Sequence, residues 1–278
     1  MIEIRDNDLA VSPEELAARP HGRLMGLEDC LPLLASPDTR CPLARDGDAF
    51  TDGENRYELR DGLPVLIPAR LQPYFTYKLD VPLAHYGDSF LQYFLLSTIK
   101  QSGEINAPPT EDYAHRHFHR AVAFLENATG LTLDVGCDDP VLGTLLLPEG
   151  SHYVGLDPFC SRSEPFRVVG VGEFLPFGDG TFDNVLFNTS LDHIMDWHQA
   201  IDEAVRVLKP GGSVYILVYV WTDRATLLTD SVHFHHYRDY EILGKLAESG
   251  LTVVDEQRWI SLKRETHRHQ LFVRASKP

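Results

Sequence analysis

The stretch Leu133-Asp134-Val135-Gly136-Cys137-Asp138-Asp139-Pro140 constrains this chain more than any other. It closes an apolar run that reads as a buried strand over 131–135 and opens a helical pattern over 141–147. In a doubly wound sheet a ligand sits just beyond the carboxyl ends of the strands. A glycine at that point lets the backbone come close to it. Asp157 ends the next strand, 21 residues after Gly136. That spacing suits a carboxylate that accepts hydrogen bonds from both ribose hydroxyls. The plain alternative is a strand–turn–helix with an acidic N-cap.

The surrounding sequence alternates strand and helix patterns from Glu111 onward. Strands are expected over 131–135, 152–156, 167–169, 182–188, 213–220, 251–256 and 270–274. Helices are expected over 111–127, 141–147, 197–208 and 239–249. Such alternation predicts an α/β fold with a mostly parallel sheet covered on both faces. The chain divides into a polar extension (1–28) with a short helix over 13–18, a turn-rich β module (29–68), an aromatic helical cap and linker (69–110), and the α/β domain (111–278). The β module is punctuated by Asp46-Gly47, Asp52-Gly53 and Asp61-Gly62, which are turn signals.

Charge narrows the function classes. The formal net charge is -16, whereas a nucleic-acid binder needs a basic face to displace phosphate counterions. The balance also disfavours an anionic membrane surface. Four cysteines (Cys30, Cys41, Cys137 and Cys160) form no C-x-x-C pair, so neither a zinc site nor a disulfide framework is expected. The N-terminus has no apolar signal core, and the best apolar run, 214–221, is too short to span a bilayer. A cytoplasmic protein is the expectation.

A longer series then carries a resemblance. Gly172-Glu173-Phe174-Leu175-Pro176-Phe177-Gly178-Asp179-Gly180-Thr181-Phe182-Asp183 leads into a strand. Thr189-Ser190-Leu191-Asp192-His193, an amphipathic helix, and Leu208-Lys209-Pro210-Gly211-Gly212 follow. With the Asp134–Gly136 turn, this order resembles the small-molecule class I S-adenosylmethionine-dependent methyltransferases over 131–220. The resemblance implies a Rossmann-like, mostly parallel seven-stranded sheet that binds S-adenosylmethionine. It places Asp134, Gly136 and the loop residues Cys137 and Asp138 at the methionine part of the cofactor. Asp157 falls at the ribose, Pro158 beside the adenine, Gly172 and Glu173 near the adenine edge, and Asn188 at the sulfonium. It makes 208–212 a structural turn. The family pattern Asp-x-Gly-x-Gly-x-Gly is altered, with Asp138 and Pro140 in place of the second and third glycines.

Methyl transfer needs an acceptor held in line with the methyl group. An oxygen acceptor must also lose a proton, a task suited to histidine. His193 follows the strand that ends at the sulfonium and is the first candidate base. His233 and His236, from the His233-Phe234-His235-His236-Tyr237 segment, are the second pair. No metal is assigned to these histidines, because no acid in the sequence is clearly paired with them.

The front of the chain, Leu33–Leu43 continuing through Arg60-Asp61-Gly62-Leu63-Pro64-Val65-Leu66, resembles the zinc-ribbon-like protein that activates several methyltransferases. Ser36 stands where that family often has a zinc cysteine, which implies a metal-free module with a core of Leu59, Leu63, Val65, Leu66 and Ile67. The module is read either as a platform for the catalytic domain or as a dimerisation remnant, and a homodimer stays open. Tyr86, in the aromatic segment, is expected to cap the cofactor. The acceptor is read as a small molecule or sugar, methylated at oxygen. A catalytically degenerate binding protein, an RNA or protein methyltransferase, and a dehydrogenase are the alternatives.

Overall fold

A computed structural model of the protein describes residues 2–5, 12–72, 111–158, 165–222, 233–260 and 268–278. Tyr86, Cys160, His267 and most of the aromatic segment lie outside the described residues.

The central strands form because their apolar residues run unbroken rather than alternate, the signature of parallel strands buried on both faces. They are β7 (Leu131–Val135), β8 (His152–Asp157), β10 (Phe182–Asn188) and β11 (Leu208–Trp221). Leu133, Val154, Val185, Phe187, Ile216 and Val218 interlock in the main core. Two further strands, β12 (Thr252–Ile260) and β13 (Arg268–Ser276), close one side, with β13 antiparallel to both β11 and β12. On the other side the short β9 (Val168–Val169) pairs with the end of β8. These seven strands run β9-β8-β7-β10-β11-β13-β12. The direction of winding reverses between β7 and β10, so the crevice at their carboxyl ends is the ligand position of a doubly wound sheet.

Two additional strands widen the sheet to nine. Both come from the segment that reads as a polar extension. β1 (Ile2–Arg5) pairs in parallel with β12, and β2 (Arg23–Leu24) pairs in parallel with the start of β8. The short helix α1 (Pro13–Ala17) lies between them, started by a Ser12–Glu15 capping box of the kind that satisfies two orphan amide donors. A pair of residues leaves no periodicity, so β2 has no signature in the sequence.

Residues 44–64 build a separate antiparallel sheet of β3 (Ala44–Asp46), β4 (Ala49–Thr51), β5 (Arg56–Arg60) and β6 (Leu63–Pro64). A four-residue helix, α2 (Leu27–Cys30), precedes it. Leu63, Val65, Leu66 and Ile67 are buried as expected, and Leu59 is partly buried. Phe50 and Tyr57 are also fully buried. At Ser36 a hydrogen-bond network holds the chain. Its Oγ pairs with the Tyr57 hydroxyl at 2.8 Å and accepts the Asp38 and Thr39 amides. Thr39 in turn donates to Asp52 at 2.7 Å.

This small sheet is joined to the large one by backbone. The Leu66 amide donates to the Val169 carbonyl at 2.7 Å, and Val65 bridges Val169 in parallel, so the module continues the sheet beyond β9. A second seam joins 33–35 to 176–178, through Ala35 N–H to Pro176 O (3.0 Å) and Gly178 N–H to Leu33 O (3.1 Å).

The remaining helices are α3 (Glu111–Phe124), α4 (Pro140–Leu146), α5 (Trp197–Val207) and α6 (Asp239–Glu248). The Leu208–Gly212 segment is not a turn. It is the start of β11, where a register irregularity against β10 absorbs the two glycines. Asp183 explains its neighbours. Its carboxylate accepts the Leu131 amide and the Lys209 ammonium, at 2.8 and 2.9 Å. A Cβ on Gly130 would meet that carboxylate at 2.6 Å, and one on Gly212 would meet the Asp183 carbonyl at 2.8 Å.

Candidate functional site

The loop after β7 turns on two residues in the left-handed region. Gly136 has φ +81° and Asp138 φ +47°, and aspartate is one of the few side chains that tolerates this left-handed region. Asp139 then caps α4, accepting the Val141 amide at 2.9 Å. Pro140 takes the first helical position, where a missing amide costs nothing. Gly136 is also demanded by packing, because a Cβ there would lie 2.5 Å from Ser190 Cβ.

Asp134 is 2 % exposed. Its Oδ2 accepts a 2.6 Å hydrogen bond from the Tyr153 hydroxyl, and its Oδ1 is buried with no partner. Burial pushes the carboxyl up to about 7; the Tyr153 bond pulls the other way, and the Asp157 charge adds to the rise. Asp157, at the end of β8, accepts the Asp138 amide at 3.1 Å. Pro158 is half-buried beside it. Cys137 sends its side chain into the core, where it crowds Gly155. Its backbone amide is bonded to Leu156 O.

Gly172 is buried, and a Cβ on it would meet Ile194 Cδ1 at 2.8 Å. Glu173 is buried too, and accepts the Asp196 amide at 3.3 Å. It therefore steadies the turn that starts α5. Burial pushes its carboxyl up to about 7 against the pull of these amides. Asn188, at the end of β10, gives its Oδ1 to His117 Nε2 at 2.6 Å.

His193, His233 and His236, separated by up to 43 residues of sequence, come together. The His193 and His233 rings lie 4.8 Å apart, His236 is 6.1 Å from His233, and His236 stacks on Trp221 at 4.3 Å. The segment carrying them is fastened to the end of β10. Phe234 N–H donates to Asp192 O at 2.9 Å, the Tyr237 hydroxyl to Leu191 O at 2.9 Å, and His235 Nε2 faces the Ile194 and Met195 carbonyls at 3.0 and 2.9 Å. The expectation that no acid is paired with these histidines is corrected here. Asp192 Oδ2 lies 3.7 Å from His233 Nε2. Burial pushes the Asp192 carboxyl up, against the pull of His193 and His233.

Four residues of this neighbourhood carried no sequence signal as site residues. Asp192 stands beside His193 in the chain, but its contact is with the loop 41 positions on. His117 and Tyr153 read as ordinary helix and strand positions. Arg167 reads as the start of a strand, yet its buried guanidinium donates to the Asp138 carbonyl and its Nε has no partner.

Residues 133–216 match the family model described as a methyltransferase domain. The ubiquinone/menaquinone biosynthesis C-methyltransferase UbiE of Geotalea uraniireducens is 32% identical over 97 residues, 35% of this chain and 40% of that protein. The human mitochondrial ubiquinone biosynthesis O-methyltransferase is 31% identical over 100 residues, 30% of this chain and 27% of that protein. Among solved structures, the Burkholderia thailandensis 1,6-didemethyltoxoflavin-N1-methyltransferase, with its substrate and S-adenosylhomocysteine bound, superposes with a TM-score of 0.52 at 16% identity. The match covers 81% of this chain and 96% of that one. The fold is thus the Rossmann-like methyltransferase fold, with a methyltransferase domain over 133–216. The matched region spans about 40% of the length of the first curated relatives. Among the described residues no helix is long and apolar enough to cross a membrane.

Proposed function

We propose that the protein is an S-adenosylmethionine-dependent methyltransferase acting on a small-molecule or sugar hydroxyl in the cytoplasm. The observation that carries this reading is the convergence of two sets of groups at the carboxyl ends of β7, β8 and β10. One is the acidic pair Asp134 and Asp157; the other is the Asp192, His193, His233 and His236 cluster. Ser190, two residues before Asp192, packs on Gly136, two residues after Asp134, and so joins the two sets.

The residues present fit the cofactor. The buried, unpartnered Oδ1 of Asp134 needs a donor, and the methionine ammonium is one. The Asp157 carboxylate, aligned by the Asp138 amide, suits the ribose hydroxyls. When bound, the cofactor supplies an electrophilic methyl carbon on a sulfonium that leaves as a neutral thioether. The chain's own part is to hold the acceptor oxygen in line and to take its proton on the histidine cluster. The relatives that methylate quinone-pathway compounds support a small-molecule acceptor.

The N-terminal module serves as a built-in platform in this reading. Its two backbone seams support that role, because they brace β9 and the 176–178 strip on the flank of the cofactor half. Free thiols at Cys30, Cys41 and Cys137 suit a reducing compartment.

Calorimetric titration with S-adenosylmethionine and S-adenosylhomocysteine tests the reading. Micromolar binding that disappears in Asp157→Ala, followed by turnover on hydroxylated acceptors that falls in His193→Ala with little change in cofactor affinity, is the expected result. A folded wild-type protein that binds neither compound would overturn it in favour of a binding protein on a methyltransferase fold.

A further inference from the structure

Two histidines and a carboxylate at the mouth of the site form a ligand set. Asp192 and His193 follow β10 on one 3-10 turn, and His233 arrives from the segment before α6. One ligand atom from each lies within 4.8 Å of the others. Asp192 is 6 % exposed, and its Oδ1 has no hydrogen-bond partner. A buried carboxylate oxygen left unpaired forfeits its hydration without compensation, so an arrangement that keeps one asks for an occupant.

We infer that Asp192, His193 and His233 bind a divalent first-row transition-metal ion. The donor set decides the class. Two imidazole nitrogens with one carboxylate favour zinc, iron, cobalt or manganese, whereas magnesium and calcium prefer all-oxygen sites. Metal–ligand bonds of about 2.0–2.2 Å require the three donor atoms to stand roughly 3 Å apart. Asp192 Oδ2 and His233 Nε2 are at 3.7 Å, so closure needs only small side-chain rotations. The backbone needs none, since the Phe234 amide already ties the His233 segment to Asp192 O at 2.9 Å. His193 and His233 are half-buried.

The catalytic consequence rests on the methyltransferase reading; the ion binding does not. An ion here would hold the acceptor hydroxyl and lower its pKa. His236, outside the ligand set and 6.1 Å from His233, would then take the proton as the acceptor oxygen bonds to the methyl carbon and the carbon–sulfur bond breaks.

The test is titration of the chelator-treated full chain with Co²⁺, followed by visible d–d absorption, and with Zn²⁺ by calorimetry. One ion per chain is expected. Affinity should drop by about tenfold or more in Asp192→Asn and in His233→Ala, and persist in His236→Ala. Far-UV circular dichroism and S-adenosylhomocysteine binding report whether each variant is folded. Equal affinity in the wild type and in a folded Asp192→Asn overturns the metal site. Cofactor binding without ion binding sinks the metal site alone; ion binding without cofactor binding sinks the methyltransferase reading alone.

Discussion

The Tyr153 hydroxyl and Asp134 Oδ2 are 2.6 Å apart in a fully buried pair, and Gly143 stands so close that a Cβ there would lie 2.1 Å from that hydroxyl. Three elements thereby fix one carboxylate. β7 supplies it, β8 supplies the donor, and α4 leaves the space. Asp134 is held in a single orientation, with its second oxygen buried and unpartnered.

The pair makes stability depend on pH. Asp134 titrates at about 7 in the fold against 3.8 in the unfolded chain. Its contribution is fully present below pH 3.8 and is lost as pH rises through 7. A shift of this size corresponds to roughly 4 kcal/mol. Asp134→Asn cannot ionise, so its stability relative to wild type should rise between pH 4 and pH 8 by a few kcal/mol. Urea unfolding at both pH values reads the difference, and identical pH slopes for the two proteins would contradict the assignment.

Gly136 and Gly180 both adopt positive φ, at +81° and +61°, but only Gly136 is crowded. Alanine at Gly180 meets nothing within 4 Å and should cost about 1–2 kcal/mol for the left-handed backbone alone. Alanine at Gly136 adds the collision with Ser190 Cβ, worth a further ~1–3 kcal/mol of overpacking. Chemical unfolding of the two variants should therefore differ by that margin. If they lose the same stability, the close approach of the β7 and β10 loops is not as described.

Glu203 sits where the module meets the α/β domain. It accepts the Leu175 amide at 2.9 Å, pairs with Arg206 at 2.7 Å, and meets Arg40 of the module at 3.2 Å. Arg40 is 61 % exposed along its side chain, Arg206 only 11 %. Arg40→Ala should cost no more than about 1 kcal/mol. Glu203→Ala leaves the Leu175 amide without its acceptor and Arg206 with Asp179 and the Phe177 and Leu175 carbonyls alone, and should cost about 1–3 kcal/mol. Thermal unfolding that ranks the two the other way would show that the ion pair, rather than the backbone seams, docks the module.

The legible part of this fold was the part with length. β7, β8, β10 and three of the helices (α4, α5 and α6) lie within about two residues of where apolar runs and periodicity put them. The Asp134 and Asp157 positions followed from strand ends. β1 and β2 escaped because strands of four and two residues carry no period, and edge strands are chosen by the partner they meet. The family resemblance makes Leu208–Gly212 a turn, whereas β11 already begins there, with a register irregularity against β10 that no local pattern announces. Asp192 escaped because its pairing with His233 is made by the crossover that brings two distant segments to one rim. Pattern fixes which residues are buried, while tertiary closure decides which polar groups face one another.

His117 is the clearest product of such closure. Arg120 donates to Gln270 Oε1 at 2.5 Å, which turns the Gln270 amide nitrogen toward His117 Nδ1 at 3.2 Å. Nδ1 is then the acceptor, so Nε2 carries the proton and donates to Asn188 Oδ1. Burial holds the imidazole down at about 4 against 6.5 when unfolded. The folded pKa is the lower one, so this contribution is present above pH 6.5 and is lost as pH falls through 4. The shift corresponds to about 3 kcal/mol. His117→Gln should lose roughly 1–2 kcal/mol at pH 7.5 through the altered Asn188 bond, and should unfold with a shallower loss of stability between pH 6.5 and 4 than wild type. An acid limb as steep in the variant as in the wild type would mean that other groups carry the proton uptake, and that burial does not hold His117 neutral.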